Sequence, residues 1–547
     1  MSIYLWIILA YLLVLTGFNF LRARRIKSQE DFMVAGRSLK WQVMVFTLIC
    51  TWIGSGTFIA GAEFASKAGF SAIWLSAGAW VGIILIYFLA AKIHTFGQYT
   101  VGDVLEVRYG PAARVFGAIA LIISFVSIVS YQFVAGGFIL NVVTDGRISE
   151  SMGTLIAALF VILFTAIGGM VAIAYTDLPN GIIIVLACLL AVPFVINAAG
   201  GVPAAKAALE PGYFAVVNNQ FGAHPWLKAI GYFLSTMFLL LGVQSMYQKF
   251  YSAKSAKDAK KAVAWWTIGT IFVESIVVVI AVFAFSKLKG QIDLSVPKAG
   301  GKVVLMAARQ LVPVPVGVLL LGAACAVVIS TGMNYLLSPS TTIMRDLYQR
   351  FVKKSGTRAI HVISLIVFIV LGYIVTLSCL KSFRMKATLL GKLTLLLILG
   401  AIAVLFARAL ARKNSVVLLQ KIFILIIGLV GFILATNLRS VLEMSFFAYT
   451  IYGVAITPAL IAALVWKRAT KTGGLISIVA GTVVCLVFFI LSRSEALIAS
   501  GKVPDGDPWG IPIIYPALFA SLAGLVIGSL LTPKPRPEEL EIFFPKK

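Results

Sequence analysis

Runs of about 20 apolar residues recur along the whole of this 547-residue chain, and a run of that length, wound as a helix, matches the thickness of a bilayer core. In hydrocarbon every backbone N–H and C=O must find a partner inside the protein, which leaves helices or a closed barrel as spanning structures. Runs this long are helical. Spans are expected at about 3–21, 41–64, 71–97, 112–140, 152–175, 178–199, 226–250, 262–286, 313–338, 359–380, 389–411, 416–436, 443–466, 472–492 and 511–531, about fifteen in all. The composition, 60% hydrophobic and only 12% charged, leaves too little polar surface for a soluble globule. The expected fold is an all-α polytopic membrane bundle.

The net charge of +26 has a matching explanation. Lys and Arg fall in short clusters between apolar runs, where the positive-inside rule puts them, so nucleic acid is not indicated as a partner. Lys249, Lys254, Lys257, Lys260 and Lys261 form one cytoplasmic cluster, and Arg345, Arg350, Lys353, Lys354 and Arg358 the next. Arg408, Arg412, Lys413, Lys467, Arg468 and Lys471 fall on the same side, with 200–225, 287–312 and 493–510 outside. The first apolar run is followed by Arg22, Arg24, Arg25 and Lys27 and lacks a basic leader and a cleavage site, so it reads as a retained span with its N-terminus outside. The Pro-rich tail, 532–547, is then a cytoplasmic, disordered end. The expected location is the plasma (cell inner) membrane, with the lipid bilayer as a partner. The five cysteines and three histidines show no metal-ligand or disulfide spacing.

Within span 41–64 the sequence Gly54-Ser55-Gly56 interrupts the helix at mid-depth. Small residues there suit close helix packing; equally, carbonyls freed by a break at bilayer depth are ligands for a transported cation. Intramembrane carboxylates are costly and usually functional. Glu63 and Glu274 fall inside spans and Asp177 at a span end, with Glu63 read as a solvated position near the outer mouth. Glu274 either pairs with a cation, stays protonated, or is a hydrogen-bonded structural acid. Ser330 and Thr331 place adjacent hydroxyls at mid-helix; they suit a dehydrated alkali ion, or bond back to the preceding turn.

Residues 323–348, ending Ser338-Pro339-Ser340-Thr341 through Arg345-Asp346-Leu347-Tyr348, resemble the eighth core helix of the sodium/solute symporter family. Asp31-Phe32-Met33-Val34-Ala35-Gly36-Arg37-Ser38 is similar to that family's motif ahead of the first core helix. Gly168-Gly169 with Tyr175-Thr176-Asp177 is similar to its fourth core helix, and Gln244, Tyr247-Gln248-Lys249-Phe250 and Ala253-Lys254-Ser255 to the end of its sixth. Trp466-Lys467-Arg468-Ala469-Thr470 is similar to the end of its tenth. The matches keep the family's order over nearly the whole chain.

The resemblance implies a LeuT-type core of two five-helix inverted repeats, at 41–199 and 226–466, each opening with a broken helix: Gly54, Ser55 and Gly56 in the first, Gly242 within Leu241-Gly242-Val243-Gln244-Ser245 in the second. Residues 1–40 precede the core, 200–225 form an external loop, and 467–531 hold two further helices. The resemblance also implies a sodium ion between the first and eighth core helices, held by the carbonyls of Cys50, Ile53 and Val327 and the hydroxyls of Ser330 and Thr331, five oxygens without formal charge. Asp177 matches an acidic position near the sodium exit and is assigned to ion release. Trp52, Thr57, Gln132 and Gln244 are expected to line the solute site, with Tyr131 and Tyr247 as gates. Trp52 resembles the choline-type branch, where an indole suits a cation, but the later spans lack the remaining aromatics of such a cage.

The family needs one span between Arg358 and the tenth core helix, and this chain has apolar runs at 359–380, 389–411 and 416–436. Either 359–411 is an inserted pair, or 359–380 is the ninth core helix and the pair follows it. The function expected is sodium-coupled symport of a small organic solute. A sodium sensor or channel-like member without coupled transport is the alternative, and a membrane enzyme is disfavoured because no nucleophile–base pair or metal cluster falls in the spans.

Overall fold

A computed structural model describes residues 3–23, 29–97, 99–219, 222–296, 298–352 and 416–544. The expected spans 359–380 and 389–411, and with them the inserted pair, lie outside the described residues. Every other expected span is helical. Eleven helical segments among the described residues are long and apolar enough to cross a membrane, and two shorter apolar helices accompany them. We label α1 (Ile3–Ala23), α2 (Trp41–Trp52), α3 (Gly61–Ala68), α4 (Ile73–Phe96), α5 (Val101–Tyr109) and α6 (Pro111–Val143). Next come α7 (Glu150–Ala198), α8 (Pro225–Gly242), α9 (Gln244–Ser252), α10 (Ala256–Leu288) and α11 (Val314–Thr342). The C-terminal part holds α12 (Val416–Thr436), α13 (Val441–Ala455), α14 (Thr457–Val465), α15 (Lys471–Leu491), α16 (Ile514–Leu530) and α17 (Pro537–Glu541).

Large apolar side chains on the outer faces, such as Leu13, Phe88 and Phe519, are exposed. In water that would be a liability; against lipid it removes nothing from a favourable environment. The interior is close-packed by small residues. A Cβ at Gly78 would run into the backbone of Phe233, which is how α4 and α8 approach so closely.

Span 41–64 is two helices joined by an irregular turn. α2 closes with Ile53 N–H donating to the Ile49 carbonyl at 2.7 Å, after which Ile53 leaves helical geometry (ψ 85°). A single π turn, Gly56–Ala60, leads into α3. Glycine is required here by proximity: a Cβ at Gly54 would stand 2.8 Å from the Thr331 side chain, and one at Gly56 would collide with the Tyr449 hydroxyl. The second break lies at Val243, between α8 and α9. Tyr452 bridges it, its hydroxyl accepting from Gln244 N–H at 2.9 Å and donating to the Gly242 carbonyl at 3.0 Å. The start of α2 and the end of α9 are tied by an isolated parallel bridge between Leu39 and Ala253.

The expected boundary between spans at 175–178 falls earlier. α7 breaks at Gly169, whose φ of 53° and ψ of −166° leave the helical region, and Phe32 packs 2.6 Å from where a Cβ would be. Asp177 is thereby about two turns inside the second half of α7 and completely buried, not at a span end. The tail also differs from the disordered end expected of its Pro-rich sequence. After α17, Phe543 is fully buried, stacked on Phe96 at 5.0 Å and beneath the Arg108 guanidinium, and Lys92 lies 4.4 Å from the Phe544 ring.

Candidate functional site

Three helices meet at the first break. α11 brings Ser330 and Thr331 against the end of α2, so that Thr331 Oγ1 donates to the Cys50 carbonyl at 3.0 Å and Ser330 Oγ lies 3.3 Å from the same oxygen. α7 supplies Asp177, which accepts from Ser330 at 2.5 Å and from Thr47 at 2.5 Å. Ile53 is the residue at which α2 unwinds, and Val327 lies one turn before the two hydroxyls on α11; both are fully buried. The cluster differs from five oxygens without charge in one respect: the carboxylate of Asp177 is in direct contact with it. A fixed cation stands close by. Lys249, expected among solvated cytoplasmic lysines, is completely buried; its ammonium donates to Asn334 Oδ1 at 2.6 Å, and Asn334 in turn donates to the Ser330 carbonyl at 2.9 Å. Its position five residues ahead of the Lys cluster, inside α9, was the available signal.

The residues expected to line a solute site separate into three places. Trp52 and Thr57 face a small cavity with Ser76, Glu274 and Tyr449, with room for about one water molecule. Glu274 Oε1 accepts from Trp52 Nε1 at 2.8 Å and Thr57 Oγ1 at 3.3 Å, and Oε2 accepts from Trp80 Nε1 at 2.8 Å. Gln132 instead caps the break, its Oε1 accepting from Ser55 N–H at 3.2 Å and Ser55 Oγ at 2.6 Å, while its Nε2 has no partner among the described residues. Gln244 is not at the cavity. It ties α5 to the end of α11, accepting from Val101 N–H at 3.0 Å and donating to Ser338 Oγ at 3.1 Å and Thr342 Oγ1 at 2.7 Å, because the unwound start of α9 aims it inward at these ends. Tyr131 bonds Tyr449 at 3.2 Å beside the cavity, whereas Tyr247 donates to the Leu241 carbonyl across the second break. Trp80, Ser76 and Tyr449 were missed: one Trp or Tyr among many in apolar helices carries no distinguishing pattern.

On one side of the cavity a vestibule of about 470 Å³ is lined by Lys67, Lys228, Tyr232, Phe446 and Asp507. Glu63 also borders it, but it is not the solvated residue expected: only 1% exposed, it accepts from Ser440 Oγ at 2.7 Å and from the Val441 and Leu442 N–H groups at 3.2 Å, capping α13. Asp507, in the loop before α16, pairs with Lys228 at 3.1 Å, yet burial still raises its carboxyl above the usual range. On the opposite side an ion network crosses the bundle. Arg114 bonds Asp103, Glu106 and Asp346, the last also accepting from Thr100 at 2.7 Å, and Arg350 pairs with Glu106 at 2.7 Å.

Residues 32–405, more than half of the chain, match the Sodium:solute symporter family. The chain is 27% identical over 362 residues to the sodium/pantothenate symporter of Escherichia coli (strain K12), covering 62% of this chain and 71% of that protein. It is 25% identical over 340 residues to the high affinity choline transporter 1 of Homo sapiens, covering 60% of this chain and 58% of that protein. Among solved structures, a Na+-coupled sialic acid symporter in a substrate-bound outward-open state superposes with a TM-score of 0.66 at 14% identity, covering 98% of this chain and 99% of that one. That likeness carries the fold, which is of the LeuT type. The chain is an integral multi-pass membrane protein that belongs to the sodium:solute symporter family, a sodium-coupled secondary transporter and not an enzyme.

Proposed function

We propose that this protein carries a small organic solute together with sodium by alternating access, and that the sodium is held where the break in α2 meets α11. The observation that carries this reading is the convergence of Ser330 Oγ and Thr331 Oγ1 on the Cys50 carbonyl beside Asp177. Each hydroxyl can turn its hydrogen aside and offer a lone pair. With the carbonyls of Ile53 and Val327 they make a hard oxygen set suited to an alkali ion. Asp177 then attracts the ion directly as well as guiding its release, and the nearby Lys249 charge keeps that attraction from becoming a trap.

Coupling follows from geometry. A ligand shifts a conformational equilibrium only through its differential affinity for the two states. An ion bridging α2 and α11 favours whichever state keeps them together. The ion network around Arg114 and the vestibule around Lys67 and Lys228 support that state being open to the outside, given N-terminus outside and C-terminus inside, in the plasma membrane. The broken helices at Gly54 and Val243 support two inverted repeats, 41–199 and 226–466, with Trp52, Thr57, Gln132 and Tyr131 on the solute side and Gln244 and Tyr247 on the inner closure. The relatives' names cover both pantothenate and choline, so the family leaves the solute open.

The test is electrogenic, saturable uptake into proteoliposomes under an imposed sodium gradient, run with sugars, amino acids, carboxylates and amines. Ser330→Ala with Thr331→Ala should raise the sodium concentration for half-maximal uptake by about tenfold or more, the loss of two ligating oxygens; unchanged sodium dependence refutes the site. Sodium binding without uptake of any solute would favour the sensor.

A further inference from the structure

We infer that the solute is a small organic cation, an amine or quaternary ammonium, whose charge is met by Glu274; this rests on the proposed transport reading. Glu274 is 2% exposed, borders the small cavity, and forms no ion pair with any described Lys or Arg. Its hydrogen-bond partners fix its chemistry. Indole N–H groups only donate, so Trp52 and Trp80 present a donor to each carboxylate oxygen, and Thr57 adds a third. Donors on both oxygens are the environment of an ionised acid. Neutral donors stabilise a buried carboxylate without cancelling its charge, and a net charge in the interior is costly unless a cation joins it.

The rest of the cavity matches a cation in a second, independent way. The rings of Trp52 and Tyr449 meet with centroids 5.8 Å apart at 42°, forming an aromatic corner beside the carboxylate. Aromatic faces attract organic cations, and more strongly when water is excluded. A sugar could hydrogen-bond to the carboxylate and stack on the rings but would leave the buried charge uncompensated, and a carboxylate-bearing solute would be repelled by Glu274. The cavity as it stands admits about one water molecule, so a solute enters only as Tyr449 swings aside. Tyr449 is held by its bond to Tyr131 and by contact with the break at Gly56, and α13 carries it directly below the vestibule residue Phe446. Solute arrival and the sodium-bearing break are thereby linked through one side chain.

The 547-residue chain in proteoliposomes is tested with ethanolamine, choline and putrescine against the neutral isostere 3,3-dimethyl-1-butanol, glucose, and the anion pantothenate. Binding is read from intrinsic tryptophan fluorescence with sodium present, and transport from electrogenic currents. At least one of the cations should bind saturably and drive current, with the neutral isostere at least about tenfold weaker, the cost of losing a desolvated cation–π and ionic contact. Glu274→Gln should weaken the cation about tenfold or more, while Glu274→Asp retains the preference for cation over isostere. The sodium-induced fluorescence change, expected to survive in both variants, reports that they are folded and that the sodium site is intact. Three results overturn the inference: tighter binding of glucose or pantothenate than of any cation, cation affinity unchanged in Glu274→Gln, or no response to any of the three cations while the sodium response persists. Cation binding without any sodium response would instead overturn the sodium site and leave this inference standing.

Discussion

Gly56 is the tightest point of the first break, and replacing it with Ala gives a calculation with one dominant contact. A methyl group there collides with the Tyr449 hydroxyl oxygen, while the next atoms, Tyr449 Cζ at 3.5 Å and the Tyr131 hydroxyl at 3.6 Å, are at ordinary van der Waals distance. The obstacle is thus a single atom. To clear it the Tyr449 ring must rotate, losing its 3.2 Å bond to Tyr131 and its packing on Trp52. Overpacking of this kind costs about 1–3 kcal/mol and the lost hydrogen bond about 1 kcal/mol more. Tyr449→Phe removes the offending oxygen. In that background Gly56→Ala should cost less than about 1 kcal/mol, because Ala loses less backbone entropy than Gly in a helical turn. The double-mutant coupling is therefore about 1–4 kcal/mol, measured by chemical denaturation of the four purified proteins in the same mixed micelles. If the coupling falls within about 0.5 kcal/mol of zero, the scatter expected of independent sites, the cost of Gly56→Ala lies in the backbone of the break and Tyr449 is not its clamp.

Asp177→Asn should raise the sodium concentration for half-maximal response by about tenfold, a loss of roughly 1.4 kcal/mol, and Lys249→Gln in that background should recover part of it by removing the unbalanced cation; sodium titration of tryptophan fluorescence reads both. Asp346→Asn strips Arg114 of one buried partner and should cost about 3 kcal/mol or more, seen as faster labelling of a cysteine introduced at Gln349 beside that network. Phe543→Ala should release the tail from its seat on Phe96 and Arg108, a loss of about 3 kcal/mol of local packing, seen as rapid proteolysis beyond Thr532 with the bundle intact.

The helical bundle was legible because its signal is long and one-dimensional: twenty apolar residues announce a span whatever surrounds them. The break at Gly54-Ser55-Gly56 was legible for the same reason, as a local violation of that pattern. What sequence could not supply was depth and partner. Glu63 near a span end reads as wet, but the first turn of α13 arrives from nearly four hundred residues away to accept it as a cap. Lys249 reads as one more cytoplasmic lysine, because the unwinding at Val243 that turns it inward leaves little mark on hydropathy. Gln244 sits beside a break, as a solute ligand would, yet the break points it at α5 and α11. The tail failed in the opposite direction: its prolines suggested disorder, and two phenylalanines after them outweighed that by finding an apolar seat beneath Arg108 and Lys92.

The buried acids, compared with one another, isolate the question of cargo. Glu63 has Lys67 at 3.1 Å; Asp103 and Asp346 share Arg114; Asp507 has Lys228. Asp177 lacks a direct ion pair, but Lys249 reaches its cluster through Asn334 and Ser330, and it shares Ser330 with the proposed sodium oxygens. Glu274 stands apart: buried like these, it is served by two indoles and a hydroxyl with no cation among the described residues. A structural acid would gain more from a fixed Lys or Arg than from two tryptophans, because a fixed partner settles the charge permanently. A transport site needs the reverse arrangement. Its acid must be held in place, kept from solvent and left short of one positive charge, so that the arriving solute supplies it and the departing solute takes it away. The same logic explains Asp177. At the proposed sodium site a fixed cation nearby would limit how tightly the ion is held and so favour its release, while at Glu274 the lack of one among the described residues would let a dilute cation be captured.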